Sequence, residues 1–316
     1  MNNYNLYVHK NLPQMYQLNV DKDNTLYIEV SGNSSGIPII FFHGGPGGQS
    51  RSEHHSLFKP ELFKSIIYDQ RGTGKSTPIR SLKNNNSESL IEDVEKIRKF
   101  LNVDKLFLVG GSWGATLALL YAQTHPKNVK GIVLRSVFLG TKEETDWAFM
   151  KGPQIFAPDL YKSFISYLND IEQKDVINSY IKKIHDEKSI LHSWIWHDYE
   201  RILSQLDPQK YFFESEKEIL KRNGVPNSPF METHFIKNDF FLKKNQILKN
   251  MKLIKDIPGI IIQGRYDLIC PPKSAFSISE NWNKSKIKIL NTAGHSSSDN
   301  GIIENLIQSI EEIKDY

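Results

Sequence analysis

Short apolar runs recur along the chain and are separated by amphipathic stretches. Residues 16–20 and 25–32 flank an Asp-Lys-Asp-Asn turn, and the second run alternates apolar and polar positions, which predicts an antiparallel hairpin. Six further runs are rich in Ile, Val, Leu and Phe, as in strands buried on both faces of a parallel sheet. They are residues 38–43, 65–69, 105–110, 130–136, 258–264 and 286–290. The pattern therefore predicts a mostly parallel sheet of eight strands.

Helical periodicity lies between several of these strands. Four apolar positions repeat on one helix face within residues 90–101, and Ser89 with Glu92 matches a capping box. A second helix is expected from residue 113 to the proline at position 126, and a last one at about 300–313. Strands that alternate with helices predict right-handed crossovers and an α/β fold.

The pattern changes between residues 137 and 250. Strand-like runs disappear there, and Lys, Glu, Asn and aromatic residues fill amphipathic helical stretches. We therefore expect an α/β domain formed by residues 1–136 and 251–316. A helical cap domain, residues 137–250, is inserted into it and is expected to cover one end of the sheet.

Composition narrows the class of protein. A net charge of +4 from 40 basic and 36 acidic side chains, with no long Lys/Arg block, does not favour nucleic-acid binding. The single cysteine, Cys270, allows no intrachain disulfide. The N-terminal residues lack the apolar segment of a secretory signal, and the apolar runs are too short to cross a membrane. A cytoplasmic protein without a membrane partner is expected.

A Gly-x-Ser-x-Gly sequence at residues 110–114 falls between a predicted strand and a predicted helix. That context is typical of a nucleophile elbow, which presents Ser112 on a sharp turn. In α/β-hydrolases the orienting acid and the general base follow after later strands, in the order Asp then His. Asp267 and His295 occupy those positions. Ser112, Asp267 and His295 are therefore the predicted catalytic triad.

An acyl-transfer site also needs N–H donors for the developing oxyanion. The expected donors are the backbone N–H groups of Trp113 and of Gly44, in the glycine-rich loop of residues 43–48. Cys270 follows Asp267 by three residues and is expected to line the pocket, where bulky thiol reagents would reduce activity without Cys270 being the nucleophile. The alternative for Cys270 is a buried, inert thiol.

The segment Asp69–Pro78 ends like a phosphate-binding loop. Asp69, however, stands where that loop requires its first glycine, and a carboxylate would repel phosphate. A nucleotide-binding switch is therefore the weaker interpretation. A non-catalytic binding protein with a hydrolase fold is a third, and the complete triad argues against it.

Several segments together resemble the prolyl iminopeptidases, a family of α/β-hydrolase serine aminopeptidases. They are HGGPGG (43–48), DQRGTGKSTP (69–78), GGSWGATLALLYAQ (110–123), VLRSVFLG (133–140), GRYDLICP (264–271) and AGHS (293–296). The resemblance implies a serine exopeptidase that releases the N-terminal residue of peptides, preferentially proline, through an acyl-enzyme. It implies no metal and no cofactor. It also implies that DQRGTGKSTP shapes and supports the site and binds no phosphate.

The resemblance further implies a site for the free N-terminal amine of the substrate. Glu200 in WHDYE and Glu232 in METHF match the two amine-binding carboxylates, with Arg135 near them. Residues that match the proline pocket are Phe138, Phe149 and Phe235. Tyrosine at position 199, where the family has tryptophan, leaves open a broader aminopeptidase, amidase or ester hydrolase acting on small α-amino acyl substrates. The sequence specifies neither oligomeric state nor peptide length.

Overall fold

The computed structural model describes residues 6–208 and 211–316. Its centre is an eight-stranded sheet in the order β1-β2-β4-β3-β5-β6-β7-β8. The strands are β1 Gln14–Asn19, β2 Thr25–Gly32, β3 Ile37–Phe42, β4 Phe63–Tyr68, β5 Leu106–Ser112, β6 Val129–Val137, β7 Gly259–Gly264 and β8 Ser285–Leu290. β2 pairs antiparallel with both β1 and β4, and the remaining pairs are parallel. The predicted mostly parallel α/β sheet is confirmed. The first five residues, part of the segment judged to lack a secretory signal, lie outside the described residues.

Twelve α-helices accompany the sheet within residues 6–208 and 211–316. They are α1 Ser87–Phe100, α2 Trp113–Thr124, α3 Lys142–Asp146, α4 Gly152–Phe156, α5 Pro158–Ile165, α6 Val176–His185, α7 Ile190–Leu203, α8 Glu216–Ile219, α9 Asn227–Lys237, α10 Gln246–Lys249, α11 Pro272–Glu280 and α12 Ile302–Ile313. None of these described helices combines the length and the apolar character needed to span a membrane.

Side chains alternate between the two faces of the sheet, and both faces are covered. Ile40 and Ile261 pack in the core that contains α1, α2 and α11. Their neighbours Ile39 and Ile260 pack in the opposite core, with α12. Strands buried on both faces need apolar residues at successive positions, which explains their continuous hydrophobic runs.

Helix α1 begins earlier than its sequence suggested. Asn86 is the N-cap residue, and its side chain accepts the backbone N–H of Ser89 at 2.9 Å. The predicted capping box of Ser89 with Glu92 is therefore wrong. The Asn86 side chain already accepts an N–H of the first turn that has no partner inside the helix, and Ser89 itself lies within that turn.

Helices α3 to α10 occupy the chain between β6 and β7 and contain an aromatic core of their own. Phe164 stacks on Tyr199 with ring centroids 3.9 Å apart and on Tyr180 at 4.3 Å. This packing fixes α5, α6 and α7 against one another. It explains the aromatic content of the region, while the domain boundaries at residues 137 and 250 stay a prediction.

Candidate active site

The turn from β5 to α2 is the elbow expected around Ser112. Ser112 has φ 57° and ψ −126°, a conformation that side-chain-bearing residues rarely adopt. A Cβ atom on Gly110 would come within 2.2 Å of the Gly114 carbonyl oxygen, and one on Gly114 within 2.1 Å of the Phe42 oxygen. Only glycine fits these two positions, so the motif follows from the tightness of the turn.

Asp267 and His295 meet at the ends of β7 and β8. Both carboxylate oxygens of Asp267 lie 3.0 Å from His295 Nδ1. The same carboxylate is buried and accepts backbone N–H bonds from Ile269 at 3.1 Å and Cys270 at 2.7 Å. A carboxylate fixed in this way orients the imidazole, as an acid–base pair requires.

The Ser112 hydroxyl lies within hydrogen-bonding reach of the Cys270 thiol. No hydrogen bond among the described residues joins Ser112 to His295. Nucleophile–base contacts are often long in ligand-free sites and shorten when substrate binds. Burial raises the pKa of the Cys270 thiol well above its usual value, and the nearby Asp267 carboxylate raises it further. The thiol is therefore neutral and cannot serve as a thiolate nucleophile.

Two backbone N–H groups flank Ser112. A Cβ atom on Gly44 would lie 3.7 Å from Ser112 Cβ, so the glycine-rich loop runs directly beside the elbow. The Gly44 N–H has no hydrogen-bond partner within residues 6–208 and 211–316. Trp113 is the first residue of α2, where an N–H has no partner inside the helix. The loop and the start of the helix thus bring the two expected oxyanion donors next to Ser112.

Gln70 connects the two segments that carry these donors. Its side-chain oxygen accepts the Trp113 indole N–H at 3.0 Å, and its Nε2 donates to the His43 carbonyl at 2.9 Å. Its backbone N–H donates to His43 Nε2 at 3.0 Å. All three residues are buried. The segment that looked like a phosphate loop therefore braces the elbow and the glycine-rich loop.

The carboxylate of Asp69 fills the space that a phosphate would need. It accepts the backbone N–H of Lys75 at 2.7 Å and that of Ser50 at 2.6 Å. A Cβ atom on Gly74 would lie 2.1 Å from its Oδ2. Because the loop amides already donate to Asp69, this segment has no free cradle for a nucleotide.

Ser112 lines a small cavity of about 30 Å³, which we name the acyl cavity. Of the residues expected from the sequence, Phe138, Phe149, Glu200, Glu232 and Cys270 line it. The remaining lining residues, absent from the sequence prediction, are Gly45, Pro46, Glu144, Thr145, Ala148, Ile236, Phe240 and Ile269. Gly45, Pro46 and Ile269 lie in segments that carry the family resemblance, whereas the other five belong to no such segment and only the folded chain brings them to the cavity.

The two cap glutamates form a hydrogen-bonded pair in which Glu232 is buried and Glu200 half-buried. Glu200 on α7 and Glu232 on α9 hydrogen-bond to each other, and Trp196 Nε1 donates to Glu232 Oε2 at 2.7 Å. Burial raises the pKa of Glu232 well above its usual value, and the neighbouring Glu200 raises it further. Burial also raises the pKa of Glu200, and His295 partly offsets this. Without a cation, the pair therefore holds a proton between its two carboxyl groups.

The chain matches known proteins over most of its length. A family model described as the alpha/beta hydrolase fold matches residues 37–301. The proline iminopeptidase of Arabidopsis thaliana is 36% identical, with 94% of this chain and 79% of that protein covered. The enzyme of that name from Neisseria meningitidis is 35% identical, with 94% of each chain covered. The chain belongs to the proline iminopeptidase family of α/β-hydrolases. The solved structure of a proline iminopeptidase-related protein from Thermus thermophilus shares the fold, with a TM-score of 0.62, 17% identity, and 95% and 96% of the two chains covered.

Arg135 lies elsewhere than the family resemblance implied. Its guanidinium donates to the His295 carbonyl and, at 3.1 Å, to Ser136 Oγ, rather than to the two cap carboxylates. It passes over Gly111, where a Cβ atom would approach Arg135 Nη2 to 2.6 Å. The missing side chain of Gly111 gives the guanidinium room beside the general base. Arg135 is therefore placed to hold the His295 loop, and the expectation that it neighbours Glu200 and Glu232 is corrected.

Phe235 is a core residue and does not line the acyl cavity. It is 1% exposed and packs on Trp113, with ring centroids 4.9 Å apart, and on Phe241 at 5.5 Å. The next residue, Ile236, lines the cavity instead. Consecutive helical residues point about 100° apart, so a motif match on α9 did not specify which of the two faces the cavity.

Proposed function

We propose that the chain is a serine exopeptidase that releases an N-terminal residue, preferentially proline, from peptides through an acyl-enzyme. One observation carries this proposal, namely that Ser112 lines the same cavity as the hydrogen-bonded pair Glu200 and Glu232. Curated relatives named proline iminopeptidase, 35–36% identical over 94% of the chain, support the proline preference.

The carboxylate pair explains why the enzyme acts at a chain end. A protonated proline nitrogen has one positive charge and two N–H donors, so Glu200 and Glu232 each accept one hydrogen bond. Binding of the cation releases the proton that the empty pair holds. An N-acylated peptide supplies neither a positive charge nor N–H donors. Its binding would cover Glu200 and Glu232 without giving them a partner, which is unfavourable.

The chemistry follows that of other serine hydrolases. The Ser112 hydroxyl turns from the Cys270 thiol to His295 and attacks the carbonyl carbon of the first residue. His295 takes the hydroxyl proton and then gives it to the leaving amine, while Asp267 orients the imidazole. The N–H groups of Gly44 and Trp113 stabilise the oxyanion, and water hydrolyses the acyl-enzyme.

The aromatic wall of the acyl cavity favours a compact, apolar first residue. Phe149 stacks on Trp196 with ring centroids 4.3 Å apart, and its carbonyl accepts the Tyr199 hydroxyl at 3.2 Å. These contacts fix the position of Phe149, which lines the cavity together with Phe138. A proline ring fits such a wall without loss of rotamer entropy.

The division into a catalytic domain (1–136 and 251–316) and a cap domain (137–250) is part of this proposal, as is a cytoplasmic location. Residues 137–250 supply Glu200, Glu232 and the aromatic wall, while the remainder supplies Ser112. The effect of thiol reagents on activity stays a prediction. A bulky adduct on Cys270 would project into the acyl cavity and block it.

The test compares release of p-nitroaniline from the proline, alanine and leucine anilides. We expect the proline substrate to be cleaved fastest by the wild type and not measurably by Ser112→Ala. Comparable rates for all three would favour the broader aminopeptidase, amidase or esterase alternative. Undiminished turnover by Ser112→Ala would reject the serine mechanism altogether.

A further inference from the structure

A second cavity adjoins the acyl cavity at Ser112. Gly44 lines the second cavity and the next residue, Gly45, lines the acyl cavity. Likewise Gly111 lines the second cavity and Ser112 the acyl cavity. The two spaces are therefore separated by single residues of the glycine-rich loop and of the elbow. We name the second space the leaving-side cavity.

The leaving-side cavity is large enough for several residues of a peptide. Its volume is about 1010 Å³, at the upper end of the roughly 300–1,000 Å³ typical of ligand pockets. Its walls come from the ends of β3 and β5, from α7 and from the start of α9. If the acyl cavity holds the first residue, the remainder of the substrate lies next to Ser112, and this is the adjoining space.

A positively charged side chain lines the same cavity and makes no ion pair within the described residues. Arg51 lines the cavity, is exposed, and makes no ion pair among residues 6–208 and 211–316. The acidic residue in the lining, Glu53, is outnumbered by Arg51 and Arg135. Burial lowers the pKa of the His54 imidazole to about 4, so His54 adds no charge at neutral pH. The cavity therefore favours a negatively charged group.

We propose that the leaving-side cavity binds the part of the peptide that follows the scissile bond and that Arg51 pairs with its C-terminal carboxylate. This inference rests on the proposed exopeptidase function and deepens it. The preferred substrates are short peptides with a free carboxylate. Long chains and C-terminally blocked peptides lose the contact with Arg51.

The test measures kcat/KM for Pro-Ala-Ala as the free acid and as the C-terminal amide, at low ionic strength. For the wild type we expect the acid to be preferred by about threefold to fivefold, the range of an exposed ion pair. Arg51→Gln abolishes the preference and Arg51→Glu reverses it. Lys249→Gln makes the same charge change at an exposed residue that does not line the cavity, and it keeps the wild-type ratio. Added salt of about 0.5 M reduces the wild-type ratio because it screens the pair.

Equal use of acid and amide by the wild type, or an unchanged ratio in Arg51→Gln, would overturn the inference. Either result is read as a ratio within one enzyme, so a general loss of activity does not imitate it. Cleavage of proline p-nitroanilide by the wild type, which involves no carboxylate, tests the proposed function separately. An enzyme that cleaves the anilide but does not distinguish acid from amide keeps its function and loses this inference.

Discussion

Replacing Glu232 by glutamine should stabilise the protein while weakening its activity. Glu232 is buried, and burial together with Glu200 raises its pKa well above the usual value. A glutamine has nearly the same shape, its carbonyl still accepts the Trp196 indole N–H, and its NH₂ donates to Glu200. The substitution therefore removes a buried carboxyl group whose ionisation is unfavourable, and it keeps the local hydrogen bonds.

The sign and size of the stability change follow from proton linkage. As pH rises above the ordinary glutamic acid pKa, the unfolded chain releases the proton while the folded chain keeps it. The free energy of unfolding of the wild type then falls by up to about 1.4 kcal/mol per pH unit, until the raised pKa is passed. Glutamine does not titrate, so the advantage of Glu232→Gln is smallest at about pH 5 and grows toward pH 8.

Activity should change in the opposite direction. A hydrogen bond to a charged group contributes about 1.5–3 kcal/mol, so loss of one carboxylate lowers kcat/KM for proline p-nitroanilide by about 10- to 150-fold. Binding energy for the substrate amine is thus obtained at the expense of folding stability, a common trade at functional sites.

Urea unfolding of wild type and variant at several pH values measures the effect, and Glu144→Gln is the matched control. Glu144 lines the same cavity and is also buried, but it accepts bonds from Leu139 N at 3.0 Å, Thr141 Oγ1 at 2.8 Å and Ser274 Oγ at 2.6 Å. Burial also raises the pKa of Glu144, but a glutamine NH₂ would face its three donors, so Glu144→Gln is expected to be about 1–3 kcal/mol less stable than Glu232→Gln. A Glu232→Gln protein that is less stable than the wild type at pH 8, or a difference independent of pH, would refute the reasoning.

Three further substitutions test the geometry. Gly114→Ala would place a methyl group 2.1 Å from a strand carbonyl oxygen and should lower the free energy of unfolding by about 3 kcal/mol or more. Gly224→Ala has open space around it but φ +73°, so it should cost only about 1 kcal/mol, and equal losses would contradict the steric account. Gln70→Leu removes the brace of the oxyanion donors and should lower kcat about 10- to 100-fold with little change in KM; a rise in KM alone would argue against a positioning role. Phe235→Ala should cost about 3–5 kcal/mol of stability and raise KM for proline p-nitroanilide less than Phe149→Ala does; the reverse order would return Phe235 to the cavity wall.

The sheet and the elbow were predictable because their signals are local. A strand covered on both faces needs successive apolar residues, as at Ile39 and Ile40, and a tight strand-to-helix turn admits only glycine at positions 110 and 114. The order of Ser112, Asp267 and His295 along the chain also reflects the order of the strands. The start of α1 was misjudged because Ser89 and Asn86 are both good caps, and the sequence does not rank them.

The residues that the cap helices contribute to the site, and the position of Arg135, could not be predicted in the same way. Helices α7 and α9 are apolar and aromatic on more than one face, so their rotation depends on tertiary packing. Phe235 and Ile236 are equally plausible from sequence, and only the fold turns Ile236 to the cavity. The Arg135 guanidinium occupies the space above Gly111, and residue spacing in the sequence does not reveal that contact.

The most direct test of the central claim compares kcat/KM for proline p-nitroanilide with that for its N-acetylated form, in the wild type and in Glu200→Gln. If Glu200 and Glu232 bind a free amine, the wild type prefers the unblocked substrate by about 10²–10³-fold, as expected when a buried charge loses its partner. The Glu200→Gln enzyme should lose most of that preference. Equal cleavage of the two substrates by the wild type would contradict the account and leave a serine hydrolase whose carboxylate pair has another role.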